Sequence, residues 1–382
     1  MEPLSTALVS CNTNLLNECE RLEGLLDGLR PTLPAEVLPY FELCVTYSSE
    51  IKTQVALIVE YLHSDHTELL PELLSETQRL TRQFQSLNQI VVTPLFRASE
   101  RDRLCLWVLR WLHAAHPSTN DTVVALGDGS FSIYYFLDHA PIYYVPTSSQ
   151  QGLLYLPLLF HEFGHLLHLR HQQELHDLVV ELQNKLTTLL EPALSRGDDY
   201  DQAKTEDRRR VVETWFDWME EFFCDAVGYA IGGVAFVGAF SSFLLMKGDD
   251  MFYMPPNRLG GSSHPVSRIR IRLLTERLRQ DGSVESAERI YQTWAALAET
   301  KGLEENYHGY FEDSFVPLVM QTLDDMLTEA SPHAPAKAEE GAPPTTPSRV
   351  VQTAWQKFID SPSDYVAWER ETVGELILHI EQ

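Results

Sequence analysis

The segment His161-Glu162-Phe163-Gly164-His165 has the residue types and the spacing of a zinc site with a base beside it. Histidines four residues apart lie on the same face of a helix, where each imidazole can offer one nitrogen to a single Zn²⁺ ion. Glu162 is rotated away from that face and can reach a water on the metal, where a carboxylate acts as a general base. The segment therefore predicts a hydrolase with one zinc ion per chain.

The residues on both sides of this segment are mostly apolar, from Leu153 to Phe160 before it and from Leu166 to Leu169 after it. Such a helix is predicted to be buried rather than solvated. Buried imidazoles need a polar partner, and a metal ion provides one. The alternative is a pair of core histidines that form hydrogen bonds within the protein.

A catalytic zinc ion needs a third protein ligand, and the sequence offers two candidates. The first is Glu221, which lies on a second amphipathic segment with Asp225 one helical turn further on. This offset lets Glu221 bind the metal while Asp225 accepts a hydrogen bond from the far nitrogen of a ligating histidine and fixes its tautomer. Glu220, the neighbour on the same helix, is the residue most easily mistaken for the ligand.

His171 is the other candidate, because a third histidine six residues after His165 is the spacing of the metzincin proteases. That pattern has a glycine at position 168, which ends the helix so that the last histidine can turn to the metal. This chain has His168 there, and helix-forming residues continue to Leu182, so an uninterrupted helix is predicted. We therefore expect Glu221 rather than His171 to be the third ligand.

With a first motif His161-Glu162-x-x-His165 and a second motif Glu221-x-x-x-Asp225, the chain resembles the gluzincin metallopeptidases over roughly residues 120 to 280. The resemblance implies a zinc cofactor, hydrolysis of peptide bonds in a peptide or protein substrate by an endopeptidase or oligopeptidase, and two helices that carry the ligands. The expected fold class is α+β and mostly α-helical. It has a zincin-like core with a small mixed or antiparallel sheet, and an N-terminal helical region.

Three runs of β-branched and aromatic residues ahead of the zinc motif predict this sheet, at 123–126, 131–137 and 141–145. Zincins hold an extended substrate by backbone pairing along an edge strand. Pro141 and Pro146 bracket the last run, as is typical of a short edge strand. We expect residues 143–145 to form the substrate-binding edge by strand addition, with a plain structural hairpin as the alternative.

Hydrolysis of a peptide bond also needs a donor for the oxyanion that forms on the substrate. His264 is the leading candidate, because it lies in a glycine- and serine-rich loop directly before Pro265 and the basic helix at 268–274. Tyr253 is the second candidate. The alternative for either residue is a role in capping or packing.

The composition limits what surrounds this site. The 382 residues suffice for one large or two smaller domains, and the formal net charge is −26, from 29 basic and 55 acidic residues. Such a charge argues against nucleic acid as a partner, since phosphates need a basic surface. Five scattered cysteines indicate reduced thiols, and the N-terminus lacks the features of a signal peptide. A cytoplasmic location is predicted.

One segment, 226–246, has 21 residues without a charge and is long enough to cross a bilayer. It begins directly after Asp225, and its four glycines predict an interruption. We expect a buried helix, a break at Gly232-Gly233 and another helix, without membrane contact. A membrane-spanning helix is the alternative.

The predicted organisation is an N-terminal helical region (1–117), a zincin-like metallopeptidase core (118–330), a Pro/Ala-rich linker or loop (331–348) and a C-terminal helical tail (349–382). Helical periodicity marks the ranges 15–29, 35–62, 69–87, 101–115, 350–359 and 365–380. The N-terminal helices either wall the active-site cleft or dock a protein partner. The tail either packs on the core or docks a partner.

Two function classes remain, since the chain has no phosphate-binding glycine loop and no Gly-x-Ser-x-Gly motif. The first is a zinc peptidase. The second is a catalytically silent zinc-binding helical protein that acts through partner binding. A purely structural zinc site has no need of a base, so Glu162 favours the peptidase.

Overall fold

The computed structural model describes residues 2–64, 67–136, 140–190, 202–248, 251–303, 305–333 and 346–380. Most of these residues are α-helical and one small sheet is present, which confirms the predicted α+β, mostly helical fold class. The chain divides into two compact units. The first comprises Met1–Arg110 and Asp121–Gln151, and the second comprises Trp111–Asn120 and Gly152–Gln382.

The first unit begins with a series of helices, as the periodicity of the sequence predicts. They are α1 (Glu2–Leu29), α2 (Leu38–Leu62), α3 (Leu70–Ser86), α4 (Thr93–Arg97) and α5 (Arg103–Ala115), whose last turns belong to the second unit. The buried residues of α1 recur at alternating steps of four and three, which is the spacing of a coiled-coil seam. They are Leu8, Asn12, Leu15, Cys19, Leu22 and Leu26. The stripe extends α1 well beyond the predicted start at residue 15.

The sheet of the first unit is mixed and has three described strands, β1 (Ala125–Asp128), β2 (Ser132–Phe136) and β3 (Ala140–Val145). Their order is β1-β3-β2, with β1 parallel and β2 antiparallel to β3. The last strand is therefore the central one. The prediction that residues 143–145 form a substrate-binding edge is wrong, because both sides of β3 already pair with neighbouring strands.

The second unit consists of helices. They are α6 (Leu158–Arg170), α7 (Gln172–Leu190), α8 (Gln202–Lys247), α9 (Pro256–Leu259), α10 (Ser267–Gln280), α11 (Val284–Lys301), α12 (Val316–Ala330), α13 (Pro347–Asp360) and α14 (Pro362–Ile380). Of these, α6, which carries His161 and His165, packs mainly against α8. The last two helices confirm the predicted tail helices, and each begins at a proline, which favours the first position of a helix.

The predicted linker at 331–348 falls largely on residues 334–345, which lie outside the described residues. Pro347 and Ser348 already belong to α13 and are buried. Helix α13 packs against α8, so this part of the tail lies on the second unit. The domain boundaries at 117, 330 and 348 stay predictions.

The helix that carries His161 and His165 ends earlier than expected. Helix α6 stops at Arg170, His171 takes non-helical dihedral angles (φ −112°, ψ 22°), and α7 begins at Gln172. The prediction of one uninterrupted helix through this region is therefore wrong. The amide of His171 still donates to the carbonyl of Leu167, so the last turn of α6 closes without the help of a glycine.

Helix α8 is interrupted at Gly233, where φ is 55° and ψ is −140°, and this confirms the predicted break at Gly232-Gly233. Asp225 and Phe240 are 15 residues apart, a distance of about 22 Å along a straight helix. Yet Asp225 contacts the imidazole of His161, and the ring of Phe240 stacks on the same imidazole. The two halves of α8 therefore fold back on each other around Gly233.

The fold-back also bears on the uncharged segment at 226–246. By length and composition, one helical stretch among the described residues, Glu206–Lys247, could cross a membrane, and 56% of its most apolar window is buried inside the protein. The break at Gly233 lies within that stretch. The uncharged segment is thus two shorter helical pieces rather than one straight rod of bilayer length.

Candidate metal centre

The site forms where α6 crosses α8, and a glycine permits the crossing. A Cβ atom built on Gly164 would lie 2.7 Å from the Cα atom of Cys224, which is closer than real Cβ contacts. Only glycine at this position lets the two backbones approach so closely. Cys224 itself is fully buried, and burial raises the pKa of its thiol well above the usual value, so it is a neutral packing residue.

A second face of α6 is anchored by Phe163, the third residue of the segment from His161 to His165. Its buried ring packs against the imidazoles of His113 and His116, with ring centroids 5.2 and 4.6 Å away. Phe163 and Gly164 thus contact different neighbours of α6, and the two histidines of the motif are directed toward α8.

Three side chains from these two helices form a compact group that can hold a metal ion: His161, His165 and Glu221. One ligand atom from each lies within 4.8 Å of the other two. The Nε2 atom of His161 is 3.5 Å from Oε2 of Glu221, and the Nε2 atom of His165 is 3.7 Å from Oε1. Both imidazoles therefore present the same ring nitrogen to the same carboxylate.

The remaining ring nitrogen of each histidine contacts a second carboxylate on α8. The Nδ1 atom of His161 lies 3.0 Å from Oδ1 of Asp225, and the Nδ1 atom of His165 lies 2.9 Å from Oε1 of Glu220. A carboxylate on Nδ1 keeps the proton on that nitrogen and leaves the lone pair of Nε2 for a metal. Glu220 is thus a second orienting carboxylate, a role that the sequence did not predict for it.

Two further residues enclose His161. The ring of Phe240 stacks on the imidazole with centroids 5.6 Å apart and planes at 22°. Arg270 of α10 binds Asp225 with two nitrogens, Nε to Oδ2 at 2.8 Å and Nη2 to Oδ1 at 2.7 Å, and its guanidinium lies over the Phe240 ring. The sequence placed Arg270 only in a basic helix. Its ion pair could have been predicted, because Arg270 alternates with isoleucines in a helix that is otherwise buried. A buried arginine needs an acidic partner.

The charges of the group are strongly coupled. Burial alone would lower the pKa of His161, but its contacts with Asp225 and Glu221 outweigh this effect and raise the pKa to about 10. Burial would raise the pKa of Glu221, but Arg270 and the two histidines hold it well below its usual value. These contacts keep Glu221 ionised, as a metal ligand must be, and favour a protonated His161, whose Nε2 proton leaves when a metal binds.

The residues present fit a zinc ion. Two imidazole nitrogens and one carboxylate oxygen are donors that Zn²⁺ prefers, and ligand atoms in a tetrahedral zinc site lie about 3.3 Å apart for bonds of about 2.0–2.1 Å. The observed contacts of 3.5 and 3.7 Å are close to that separation. In addition, the Oε2 atom of Glu221 is buried and accepts no hydrogen bond, although it lies 3.1 Å from Nη2 of Arg270 in an ion pair.

Glu162, the predicted general base, lies on the same helix as the two histidines. It is next to His161 on α6 and is only 7% exposed. Burial raises the pKa of its carboxyl group, although both neighbouring histidines oppose the shift. His171 lies at the end of α6 and is not a member of the metal-holding group.

His264 approaches the group from the loop before α10. Its Nε2 atom lies 3.3 Å from Oε1 of Glu221, while 66% of its side chain is exposed. The loop is held by the indole of Trp218, which donates to the carbonyl of Ser262 at 2.9 Å, and by the Ser262 hydroxyl, which donates to the carbonyl of His264 at 2.7 Å. His264 is therefore placed at the solvent side of Glu221.

Tyr253, the second predicted oxyanion donor, lies in a different setting. Its backbone forms an isolated bridge with Asn306, its ring contacts the imidazole of His308 at 5.6 Å, and 47% of the residue is exposed. The structure brings His264 to the metal-holding group and shows Tyr253 only with these neighbours. The oxyanion role of either residue stays a prediction.

No family model, no curated protein and no solved structure matches this chain.

Proposed function

We propose that this protein is a zinc-dependent peptidase in which His161, His165 and Glu221 hold the metal and Glu162 is the general base. The observation that carries the proposal is the shared orientation of the two imidazoles. Both direct Nε2 to Glu221 and both have Nδ1 on a separate carboxylate. Carboxylate–histidine pairs of this kind are typical of metal sites.

The number of ligands supports a catalytic rather than a closed structural site. Within the described part of the chain, the metal-holding group has three members. Structural zinc sites usually have four protein ligands, whereas catalytic sites have three and leave a position for water or substrate. The adjacent carboxylate of Glu162 has a function only in the second kind of site.

When bound, zinc would act as a Lewis acid that makes a coordinated water more acidic and polarises the scissile carbonyl. Glu162 accepts the proton of the attacking water and delivers it to the leaving amine, while the water oxygen bonds to the carbonyl carbon and the C–N bond breaks. The role proposed for His264 is to donate to the substrate oxyanion, which its contact with the exposed side of Glu221 supports. The substrate is a peptide or protein, and the proposed location is cytoplasmic.

The test separates metal binding from catalysis. Glu162→Gln is expected to retain zinc and to abolish cleavage, because the amide cannot accept the proton. Glu221→Ala is expected to lower the zinc content, because a ligand is lost. Zinc content is measured by elemental analysis after dialysis, and cleavage by a proteome-wide comparison of new N-termini produced by the wild type and by Glu162→Gln.

His171→Ala is the matched control, since it removes a nearby histidine outside the metal-holding group and is expected to keep both zinc and cleavage. Cleavage that survives Glu162→Gln would overturn the mechanism, and zinc content unchanged in Glu221→Ala would overturn the ligand assignment. A wild type that binds zinc but produces no new N-termini would favour the silent, partner-binding protein.

A further inference from the structure

Arg270 contacts several members of the site, although the mechanism proposed for Glu162 and His264 gives it no role. Its Nη2 atom donates to Asp225, and the same atom lies 3.1 Å from Oε2 of Glu221 and 3.5 Å from both ring nitrogens of His161. The residue is 5% exposed. A single buried guanidinium thus contacts one orienting carboxylate and two of the three candidate ligands.

We propose that Arg270 is a positioning residue of the metal centre, which holds both oxygens of Asp225 and thereby fixes the imidazole of His161 for metal binding. This inference rests on the proposed metal site but not on peptidase activity. A planar guanidinium that binds both carboxylate oxygens fixes the plane and the rotation of the carboxylate, which a single hydrogen bond does not. Asp225 can then accept from His161 Nδ1 in only one orientation.

The contacts of Phe240 support the same role. Its ring stacks on the imidazole of His161, and the guanidinium of Arg270 lies 4.6 Å from the centroid of that ring. Arg270 therefore fixes His161 in two ways, through Asp225 at the ring nitrogen and through Phe240 at the ring face. Because the imidazole of His161 is held on its edge and on its face, little side-chain motion remains to be lost when a metal binds. The entropic cost of metal binding is therefore smaller.

Simple electrostatics makes the opposite prediction. A guanidinium close to a ligand set repels a divalent cation, so removal of its charge would tighten metal binding if charge were its main effect. A positioning role requires that removal of the guanidinium weakens binding, because loss of the groups that orient a metal ligand commonly lowers metal affinity about 10- to 100-fold. Whether zinc affinity rises or falls when the guanidinium is removed therefore decides between charge repulsion and a positioning role.

Arg268 provides a matched control on the same helix. It is 3% exposed, as buried as Arg270, but it pairs with Glu305 at 2.8 Å and lies over the ring of Tyr291. Arg268→Met removes a buried arginine of α10 without a change at the metal-holding group. A general loss of packing would affect both variants alike.

The experiment measures the affinity of the purified full chain for Zn²⁺ by competition with a chromophoric chelator, and records the visible absorption of the Co²⁺-loaded protein. Arg270→Met is expected to bind zinc about 10- to 100-fold more weakly and to change the cobalt spectrum, because His161 is no longer held in one orientation. Arg270→Lys keeps the positive charge but cannot bind both oxygens of Asp225 with two nitrogens, and it is expected to weaken zinc binding about tenfold. Arg268→Met is expected to match the wild type in both measurements.

A double-mutant cycle tests the path through Asp225. If Arg270 acts mainly through that carboxylate, Asp225→Asn combined with Arg270→Lys is expected to weaken zinc binding by clearly less than the sum of the two single losses, and the contact with Phe240 accounts for the remainder. Additive losses in the double variant would show that Arg270 acts independently of Asp225 and would overturn this path.

The remaining outcomes are equally decisive. Zinc affinity that is unchanged or higher in Arg270→Met would overturn the positioning role. If Arg270→Met fails to fold, the same criterion applies to Arg270→Lys. A wild type without zinc affinity would overturn this inference together with the proposed site. A wild type that binds zinc but cleaves no peptide would overturn only the peptidase proposal, since neither measurement here depends on cleavage.

Discussion

At the scale of single residues, the site is defined by the partner that each ring nitrogen of the two histidines contacts. Nε2 of each histidine faces Glu221, and Nδ1 of each is held by a different carboxylate, Asp225 or Glu220. The two orienting carboxylates are not equivalent. Asp225 is 2% exposed, whereas 46% of the Glu220 side chain is exposed, so water competes more strongly for Glu220.

Glu220→Gln tests this arrangement. We expect zinc affinity to fall by about tenfold, at the low end for loss of an orienting carboxylate, because the exposed Glu220 contributes less than a buried one. The hydrogen bond between His165 Nδ1 and Glu220 loses its charge in this variant. The measurement is a zinc titration against a chromophoric chelator.

Asp217→Asn is the control for that titration. Asp217 lies one turn earlier on α8 and is exposed, so its substitution removes the same charge without a contact to His165. Zinc affinity reduced equally in both variants would show that the general negative charge of this helix face, rather than the contact with His165, supports the metal.

At the scale of secondary-structure elements, two glycines determine how the helices meet. Gly164 lets α6 and α8 touch at Cys224, and Gly233 lets the second half of α8 return to α6. The first glycine brings Glu220 and Glu221 to the histidines, and the second brings Phe240 to the face of His161. Both contacts depend on the relative placement of whole helices.

Gly164→Ala is expected to lower the free energy of unfolding by about 1–3 kcal/mol and to weaken zinc binding, because the added methyl group meets the backbone of Cys224. The measurements are urea unfolding and a zinc titration. The control is Gly374→Ala in α14, where an added Cβ meets nothing within 4 Å. Alanine there is expected to stabilise the helix slightly. Equal effects of the two substitutions would contradict the close-crossing argument.

Gly233→Ala tests the fold-back of α8. The dihedral angles at this position (φ 55°, ψ −140°) are strained for any residue with a Cβ, so we expect a loss of about 1–3 kcal/mol in the free energy of unfolding. The substitution is also expected to weaken zinc binding, because Phe240 no longer returns to His161. Gly24→Ala in α1, whose Cβ meets no neighbour within 4 Å, is the control. Unfolding unchanged by Gly233→Ala would show that α8 tolerates the break without glycine.

At the scale of the whole molecule, distant parts of the chain are held together by buried polar contacts. In the second unit, the backbone amide of His333 donates to Nε2 of His116 at 2.9 Å, across 217 positions of sequence. Nε2 must then be unprotonated, so Nδ1 carries the proton and donates to the carbonyl of Leu112 at 2.6 Å. Only the neutral imidazole can make both bonds.

This contact predicts a pH dependence of stability. Burial, together with the nearby His333, lowers the pKa of His116 below its usual 6.5 in the folded protein, although the bond to Leu112 opposes the shift. Between the folded and unfolded pKa values the unfolded chain binds more protons. The free energy of unfolding therefore falls as the pH drops from about 6.5 through the folded pKa.

The measurement is urea unfolding at about pH 5.5 and about pH 7.5, values on either side of the unperturbed histidine pKa. A chelator is present throughout, so that loss of a metal on acidification does not contribute. His116→Gln is expected to show a smaller fall in stability than the wild type, because the titrating group is gone. His171→Gln is the control, since His171 lies partly exposed at the end of α6. A fall in His116→Gln as large as in the wild type would contradict the assignment.

Much of the fold could be predicted from sequence because the relevant signals are local. The helices of the first unit and the two tail helices follow from apolar periodicity, and the break in α8 follows from a pair of glycines. The end of α6 at His171 was not predicted, because no glycine or proline marks it. The central position of β3 was not predicted either, because prolines at its ends indicate an edge only when strand order is known.

The sequence by itself determined the residue types and the first part of the site. Two histidines and a glutamate within five positions share one helix, and their geometry follows from the helical repeat alone. The tertiary structure decided which residues surround them. Glu220 reaches His165 across 55 positions, and Arg270 reaches Asp225 across 45. Contacts at such separations depend on the angle and depth at which helices cross, which are set by packing at positions such as Gly164 rather than by any local pattern.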